Sequence, residues 1–323
     1  MFLRRRIAEA GPLKAAIIGM GAFGRHHAAK YQTLAQEGQG VEFFAVADTS
    51  AEVRRAAVAQ YGVLAVTDWR ELVGKVDLVS ICSPAITHGQ IVRAFLKAGA
   101  HVLVEKPIAT DAAEADELVE LARAKGLVLT VGHQERFVFA RTGLFEREEA
   151  PLEIQCWRRG PWTGRGDDVS VVLDLMIHDL DLVHTLVKSD VAEVTARGAL
   201  EYGPYADEVE ATVTFANGTV ARLDCSRIAK GRKRGMRAVY KDGVVEIDFL
   251  TRAVTNTTPR PLKALEIGDP LGEAVAGFVA AARDGRAPLV LAEQAAQALA
   301  TALLIDEVAA PPPARMRRIA AAG

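Results

Sequence analysis

Between Lys14 and about Gly132, short apolar runs rich in β-branched residues alternate with longer amphipathic stretches. The runs are Ala15–Ile18, Val41–Ala47, Val76–Ile81, His101–Val104 and Leu127–Val131. Such fully apolar strands suit a sheet buried on both faces. The stretches between them read as helices, among them Ala51–Gln60 and Asp111–Lys125, the latter apolar at Ala115, Leu118, Val119, Leu121 and Ala122. Strand–helix alternation implies right-handed crossovers and a parallel sheet.

The rhythm changes after Ala150. A helix near Val171–Val187 precedes a run of strands in which polar and apolar positions alternate, as over Glu208–Phe215. Asn217-Gly218 and Asp242-Gly243 mark tight hairpins. Helices over about Asp269–Arg283 and Glu293–Val308 follow, and Pro311-Pro312-Pro313 stops the last. The expected architecture is α/β: a parallel-sheet domain over residues 1–133, then an α+β domain over 134–323 with a large, mostly antiparallel sheet and helices on one face. The second domain is also expected to mediate oligomerisation.

At 323 residues the chain is long enough for two cores. A net charge of -2 supplies no field that would draw it to nucleic acid or an anionic membrane. Cys82, Cys156 and Cys225 form no CxxC pair and read as reduced core thiols of a cytoplasmic protein. The basic opening Met1–Arg6 lacks a following apolar segment and reads as a short helix or frayed tail, not a signal peptide. Every apolar stretch carries charges within a span's length, so no membrane crossing is expected.

The first run ends in Gly19-Met20-Gly21-Ala22-Phe23-Gly24, with a helix opening behind it. This is the dinucleotide fingerprint in its strand–turn–helix setting. Its first glycine makes the turn, the second admits a pyrophosphate, and the third packs helix on strand. Asp48 ends the second run, 24 residues past Gly24, near the ~20 expected of a carboxylate that holds ribose hydroxyls. It favours NAD over NADP, because a 2′-phosphate would be repelled and neither Thr49 nor Ser50 is a cation, although Arg54 and Arg55 follow. Cys82-Ser83-Pro84, Glu105-Lys106-Pro107 and Gly132-His133 fall at the ends of later strands, the edge where open α/β sheets bind ligands. The cofactor set is thus Gly19–Gly24, Asp48, Cys82, Ser83, Pro84, His88, Glu105 and Lys106.

In the second half, Asp174, His178 and Asp181 stand at i, i+4 and i+7 and share one helix face. A carboxylate one turn from an imidazole suits a general base. A polar stripe on an amphipathic helix explains the same pattern, since Leu175, Leu182 and Leu186 build the apolar side. No second His or Cys completes a metal site, and no metal is expected.

Together these residues resemble the Gfo/Idh/MocA family of sugar and cyclitol oxidoreductases. The resemblance runs from Lys14 to about Val308 and rests on Gly19–Gly24, Glu105-Lys106-Pro107, Gly132–Phe137, Asp174 to His178, Asp269-Pro270-Leu271 and Gly285–Pro288. It implies that Lys106 sits by the nicotinamide and substrate, and that Asp174 and His178 reach the reacting hydroxyl. Ala85 departs from the side-chain amide common after the residue equivalent to Pro84. Within the family, Gly132–Phe137 and Tyr240–Leu250 are most similar to members that oxidise the 3-hydroxyl of UDP-N-acetylglucosamine.

The expected reaction is oxidation of a secondary alcohol. His178 takes the hydroxyl proton, Asp174 orients it, and Lys106, positioned by Glu105, stabilises the alkoxide. The substrate set is Lys106, His133, Arg136, Asp174 and His178, on a sugar or nucleotide sugar, in a homo-oligomer such as a dimer or tetramer. Arg136 is the candidate for a diphosphate. The basic stretch Arg227, Lys230, Arg232, Lys233, Arg234 and Arg237 is read mainly as a solvated or protected edge. A free-sugar or inositol dehydrogenase, a reductase, an NAD-assisted eliminating glycosidase and a non-catalytic dinucleotide sensor would share the scaffold. Lys106, Asp174 and His178 together argue against the sensor.

Overall fold

The computed structural model describes residues 11–164, 169–202, 204–266 and 268–309. The basic opening at residues 1–6 and the proline stop at 311–313 lie outside the described residues. In chain order the strands and helices are β1 (Leu13–Ile18), α1 (Ala22–Gln36), β2 (Val41–Ala47), α2 (Ala51–Tyr61), β3 (Leu64–Val66), β4 (Leu78–Ile81), α3 (His88–Ala98), β5 (His101–Val104), α4 (Ala112–Lys125), β6 (Leu129–Val131) and α5 (Glu135–Ala140). They continue as β7 (Glu153–Arg159), α6 (Ile177–Val187), β8 (Val191–Ala199), β9 (Glu208–Phe215), β10 (Val220–Ser226), β11 (Lys233–Tyr240), β12 (Gly243–Asp248), β13 (Val254–Asn256), α7 (Pro270–Asp284) and α8 (Ala292–Ala309).

By packing, the chain divides into two compact units. The first runs to Glu148 and takes back Leu262–Ala300, while the second holds Glu149–Pro261 and the residues from Thr301. The return has a packing cause. Val275, Phe278 and Val279 of α7 are buried in one core with Ile17, Ala28, Tyr31 and Phe43, and each such side chain contributes ~1.5–3 kcal/mol on burial. Lys30 Nζ on Asp269 (2.7 Å) and Arg283 Nη1 on the Gln39 carbonyl (3.0 Å) hold the two ends of α7. Asp269 caps α7 through the Gly272 N–H, Pro270 opens it and Gly285 closes it.

The first unit's sheet is parallel, in the order β3-β2-β1-β4-β5-β6. The order in which strands are added reverses between β1 and β4, the switch point at which doubly wound sheets bind ligands. Short β3 is an edge strand the apolar pattern did not reveal. Ser50 caps α2 through the Val53 N–H, and Asp111 caps α4 through the Glu114 N–H.

The second unit's sheet runs β13-β12-β11-β7-β10-β9-β8, antiparallel except for the parallel β7–β10 pair. Strand β7, unforeseen before the helix, is central. Both hairpins sit where Asn217-Gly218 and Asp242-Gly243 place them, with Gly218 at φ 87°. Along β7 the residues Ile154, Cys156 and Arg158 are buried, and Cys225 of β10 meets the Val171 carbonyl. That face of the sheet is covered by α6 and the turn before it.

Candidate functional site

In the first unit, the turn after β1 is built around what two glycines allow. Gly19 has φ 87°, and a Cβ there would stand 2.8 Å from the Ser83 nitrogen; a Cβ on Gly24 would stand 1.9 Å from the Gly19 carbonyl oxygen. The turn therefore closes tightly on β4 and α1. A Cβ on Gly21 would meet nothing within 4 Å, so open space lies above it. Gly21 leads into α1 with no side-chain cap and no acidic residue in the first turn, leaving helix N–H groups for an anion. This cradle fits a pyrophosphate. Met20 presents only backbone here, because its side chain is buried in the core.

Asp48, at the end of β2, accepts the Met20 N–H on Oδ2 and the Ser50 N–H on Oδ1, each at 2.8 Å. A carboxylate has roughly four lone-pair sites, so acceptor capacity remains for ribose hydroxyls. Arg54 folds back and donates Nη1 to the Asp48 and Thr49 carbonyls at 2.7 and 3.0 Å.

Glu105 and Lys106, both half-buried, follow β5, and the Lys106–Pro107 peptide is cis. Glu105 Oε1 lies 2.9 Å from Nε2 of buried His27 on α1. His27 Nδ1 has no hydrogen bond, so Nε2 carries the proton and donates to the carboxylate. Gly132 explains itself here: a Cβ would stand 2.6 Å from the same oxygen. His27 was not singled out in the sequence, yet it falls on the apolar face of α1 with Gly24, Ala28 and Tyr31, where an imidazole needs a partner.

His88 was expected to touch the cofactor, but its side chain is buried and serves as a strut. Nδ1 faces the Pro107 carbonyl at 2.6 Å and Nε2 the Ser83 carbonyl at 2.9 Å. Burial pulls its pKa below the ordinary histidine value, outweighing two carbonyl acceptors that favour the cation. It thus joins the segment after β4 to that carrying Lys106. Ser83 Oγ lies 2.7 Å from Thr87 Oγ1. Burial, then the Glu105 charge, pushes the Cys82 thiol up, which makes it inert as a nucleophile.

Two substrate candidates of the first unit are buried. His133 is 1% exposed and Arg136 3%, with Arg136 Nη1 on Gln294 Oε1 at 3.0 Å. Both belong to the packing around α5, where the apolar neighbours Val138 and Phe139 draw the helix inward.

In the second unit a π turn over Val172–Met176 precedes α6. A π turn advances less per residue than an α turn. Asp174 and His178 are half-buried, while Asp181 is buried. Asp179, next to His178, is buried in a bidentate pair with Arg158 of β7, at 2.7 Å from Nη2 and 3.1 Å from Nε.

These features define a class, and the comparisons name it. Residues 13–133 match the family model described as oxidoreductase family, NAD-binding Rossmann fold, and residues 144–246 match the GFO/IDH/MocA C-terminal domain. The chain belongs to the Gfo/Idh/MocA oxidoreductases, and it is an oxidoreductase with a dinucleotide-binding Rossmann unit.

Among relatives, it is 35% identical over 246 residues to UDP-N-acetylglucosamine 3-dehydrogenase of Acidithiobacillus ferrooxidans, covering 75% of this chain and 76% of that one. It is 29% identical to myo-inositol 2-dehydrogenase of Thermotoga maritima, covering 67% and 69%. A solved structure of the Acidithiobacillus ferrooxidans enzyme superposes with TM-score 0.85 at 32% identity, covering 93% and 98%. Scyllo-inositol dehydrogenase from Lactobacillus casei, solved with NAD(H) and scyllo-inositol, shares the fold at TM-score 0.77 and 21% identity, over 92% and 96%. No helix among the described residues is long and apolar enough to cross a membrane.

Proposed function

We propose that this chain is an NAD-dependent dehydrogenase that oxidises a secondary hydroxyl of a nucleotide-linked sugar, with UDP-N-acetylglucosamine oxidised at its 3-hydroxyl as the specific reading. The observation that carries the reaction type is the placing of Glu105 and Lys106 at the carboxyl end of β5, in the same sheet edge as an open glycine cradle and Asp48. A bound nicotinamide supplies the hydride acceptor. Asp48 takes the ribose hydroxyls and its charge disfavours a 2′-phosphate. His178 accepts the hydroxyl proton, Asp174 orients that imidazole, and the Lys106 ammonium stabilises charge developing on the oxygen. His27, through Glu105, and His88, through the Pro107 carbonyl, position the segment bearing Lys106.

The substrate reading is supported by 35% identity to a protein named for that reaction and by the arginine content of the second unit. A homo-oligomer is part of the same reading. The test is a screen of nucleotide sugars, free sugars and inositols with NAD and with NADP, following reduced-nicotinamide absorbance. UDP-N-acetylglucosamine with NAD is expected to give the highest kcat/KM. Comparable kcat/KM on free inositol or glucose removes the nucleotide-sugar reading and leaves the dehydrogenase.

A further inference from the structure

Three consecutive residues of the second unit are gripped by three different elements just before the π turn. The Val169 carbonyl accepts Nη1 of Arg227 at 2.9 Å, and the Val171 N–H donates to the Ala206 carbonyl at 2.9 Å. Arg227, just past β10, is itself fixed by buried Asp207, whose Oδ1 accepts its Nε at 2.6 Å. Between them, buried Ser170 donates Oγ–H to Oδ2 of Asp306 at 2.5 Å. Asp306 lies on α8, and among the described residues Ser170 is the group its carboxylate bonds.

Ser170 also caps the helical segment that begins at Val171. Its carbonyl accepts the Asp174 N–H at 2.9 Å and its hydroxyl the Leu173 N–H at 3.2 Å, the two bonds an N-cap serine makes. A hydroxyl has one proton and two lone pairs, so engaging the proton on Asp306 keeps a lone pair aimed at Leu173. The far side of the turn is pinned by the buried Asp179–Arg158 pair, next to His178. The π turn therefore lies between two fixed ends. It holds one residue more than an α turn, and a one-residue slip would rotate a side chain by about 100°. Within residues 171–179 only Asp174, Leu175 and His178 are half-buried, the others being buried. A slip would turn the carboxylate and the imidazole away from that open side.

We propose that Ser170 and Asp306 are positioning residues for the reaction, holding the π register in which Asp174 and His178 share the open side of the turn. Asp306 acts through Ser170, and Ser170 through its bonds to the Leu173 and Asp174 N–H groups. The inference rests on the reading in which His178 is the base and Asp174 orients it, and the experiment separates the two.

S170A, D306L, D306N and S170A/D306L are compared with wild type. T301V is the control, removing an α8 hydrogen bond that does not reach the π turn, Thr301 Oγ1 with His184 Nε2 at 2.8 Å. Steady-state oxidation with NAD, on the alcohol that wild type turns over best, gives kcat and KM. NMR titration of the imidazoles in the free enzyme gives the His178 pKa, its signal assigned by loss in H178Q. In S170A and D306L, kcat is expected to fall about tenfold, KM for NAD to stay within about twofold, and the His178 pKa to drop as the Asp174 carboxylate leaves it. D306N, whose amide oxygen still accepts the Ser170 proton, is expected to keep wild-type kcat, and S170A/D306L to lose no more than S170A. T301V is expected to lower Tm and leave kcat and the titration unchanged. Wild-type kcat and titration in S170A and D306L, or multiplied losses in the double variant, overturn the positioning role while an inactive H178Q keeps the base assigned. A kcat loss in T301V equal to that in S170A overturns it too, as general loosening of α8. Should S170A fail to fold, equal rates in D306N and D306L refute the role. Full activity of H178Q removes the base, and this inference with it.

Discussion

Nε2 of His27 lies 2.9 Å from Oε1 of Glu105, so the helix that begins at the glycine turn grips the residue next to Lys106. His27→Ala leaves the Glu105 carboxylate without this donor. Turnover is expected to fall about tenfold or more through misplacement of the neighbouring lysine, with NAD affinity less affected. His27→Asn is expected to recover part of the rate, and steady-state kinetics on both variants check this. Equal rates in wild type and His27→Ala would remove the positioning role.

Replacement of the proposed catalytic groups is expected to cost more. Lys106→Ala and His178→Ala should each lower turnover by about two orders of magnitude, with circular dichroism and Tm close to wild type. In the oxidative direction, the wild-type rate should fall on the acid side, where a protonated imidazole cannot accept the substrate proton. Retention of that acid limb in His178→Ala would assign it to another group.

Asp48→Ser tests the cofactor. Removal of a charged acceptor is expected to weaken NAD about tenfold or more while relaxing the exclusion of NADP. Because Asp48 also holds the Met20 and Ser50 N–H groups, part of the loss reflects a looser turn. Fluorescence titrations with both cofactors give the ratio that matters, and tighter NADP than NAD binding by wild type would overturn the assignment.

His88 links stability to pH. Its pKa lies below the ordinary value of 6.5 in the folded chain because of burial. The unfolded chain therefore binds more protons in that window, and stability is kept above about pH 6.5 and lost as pH falls through the lowered pKa. His88→Gln is expected to flatten this slope in Tm measured from pH 7.5 downward. His101, also lowered by burial, leaves a residual slope. An unchanged slope would mean that His88 does not titrate in this range.

The Arg158–Asp179 pair supplies a stability test beside the proposed reaction centre. Arg158→Met leaves a buried carboxylate alone and should cost ~3–5 kcal/mol, whereas R158M/D179L should recover most of that loss. Denaturant unfolding of the two variants measures the difference. If the double variant is as unstable as the single one, packing and not charge governs the site.

The cofactor half of the site was legible because its parts are backbone events: a glycine turn, a carboxylate ending β2 and strand ends in series. The second half was less so. Asp174 and His178 were singled out from helical spacing, but a π turn leaves no mark in residue type, and the burial of Asp181 could not be read. His133 and Arg136 follow a strand end, as ligand-binding residues do, and nothing in the sequence told that both are buried. Lys233, Arg234 and Arg237 look alike in the sequence, and only strand parity along β11 divides them between two faces. The return of Leu262–Ala300 to the first unit was invisible for a related reason: an amphipathic helix records that it has a partner, not which one.

That return has a consequence for how the chain is made. The core behind the glycine turn closes only when Val275, Phe278 and Val279 arrive, and residues 149–261 are synthesised before them. A ribosome therefore releases residues 149–261 of the second unit while the first still lacks α7. The two units are interleaved in time, so a nascent chain halted anywhere before Asp284 presents an open apolar flank to chaperones.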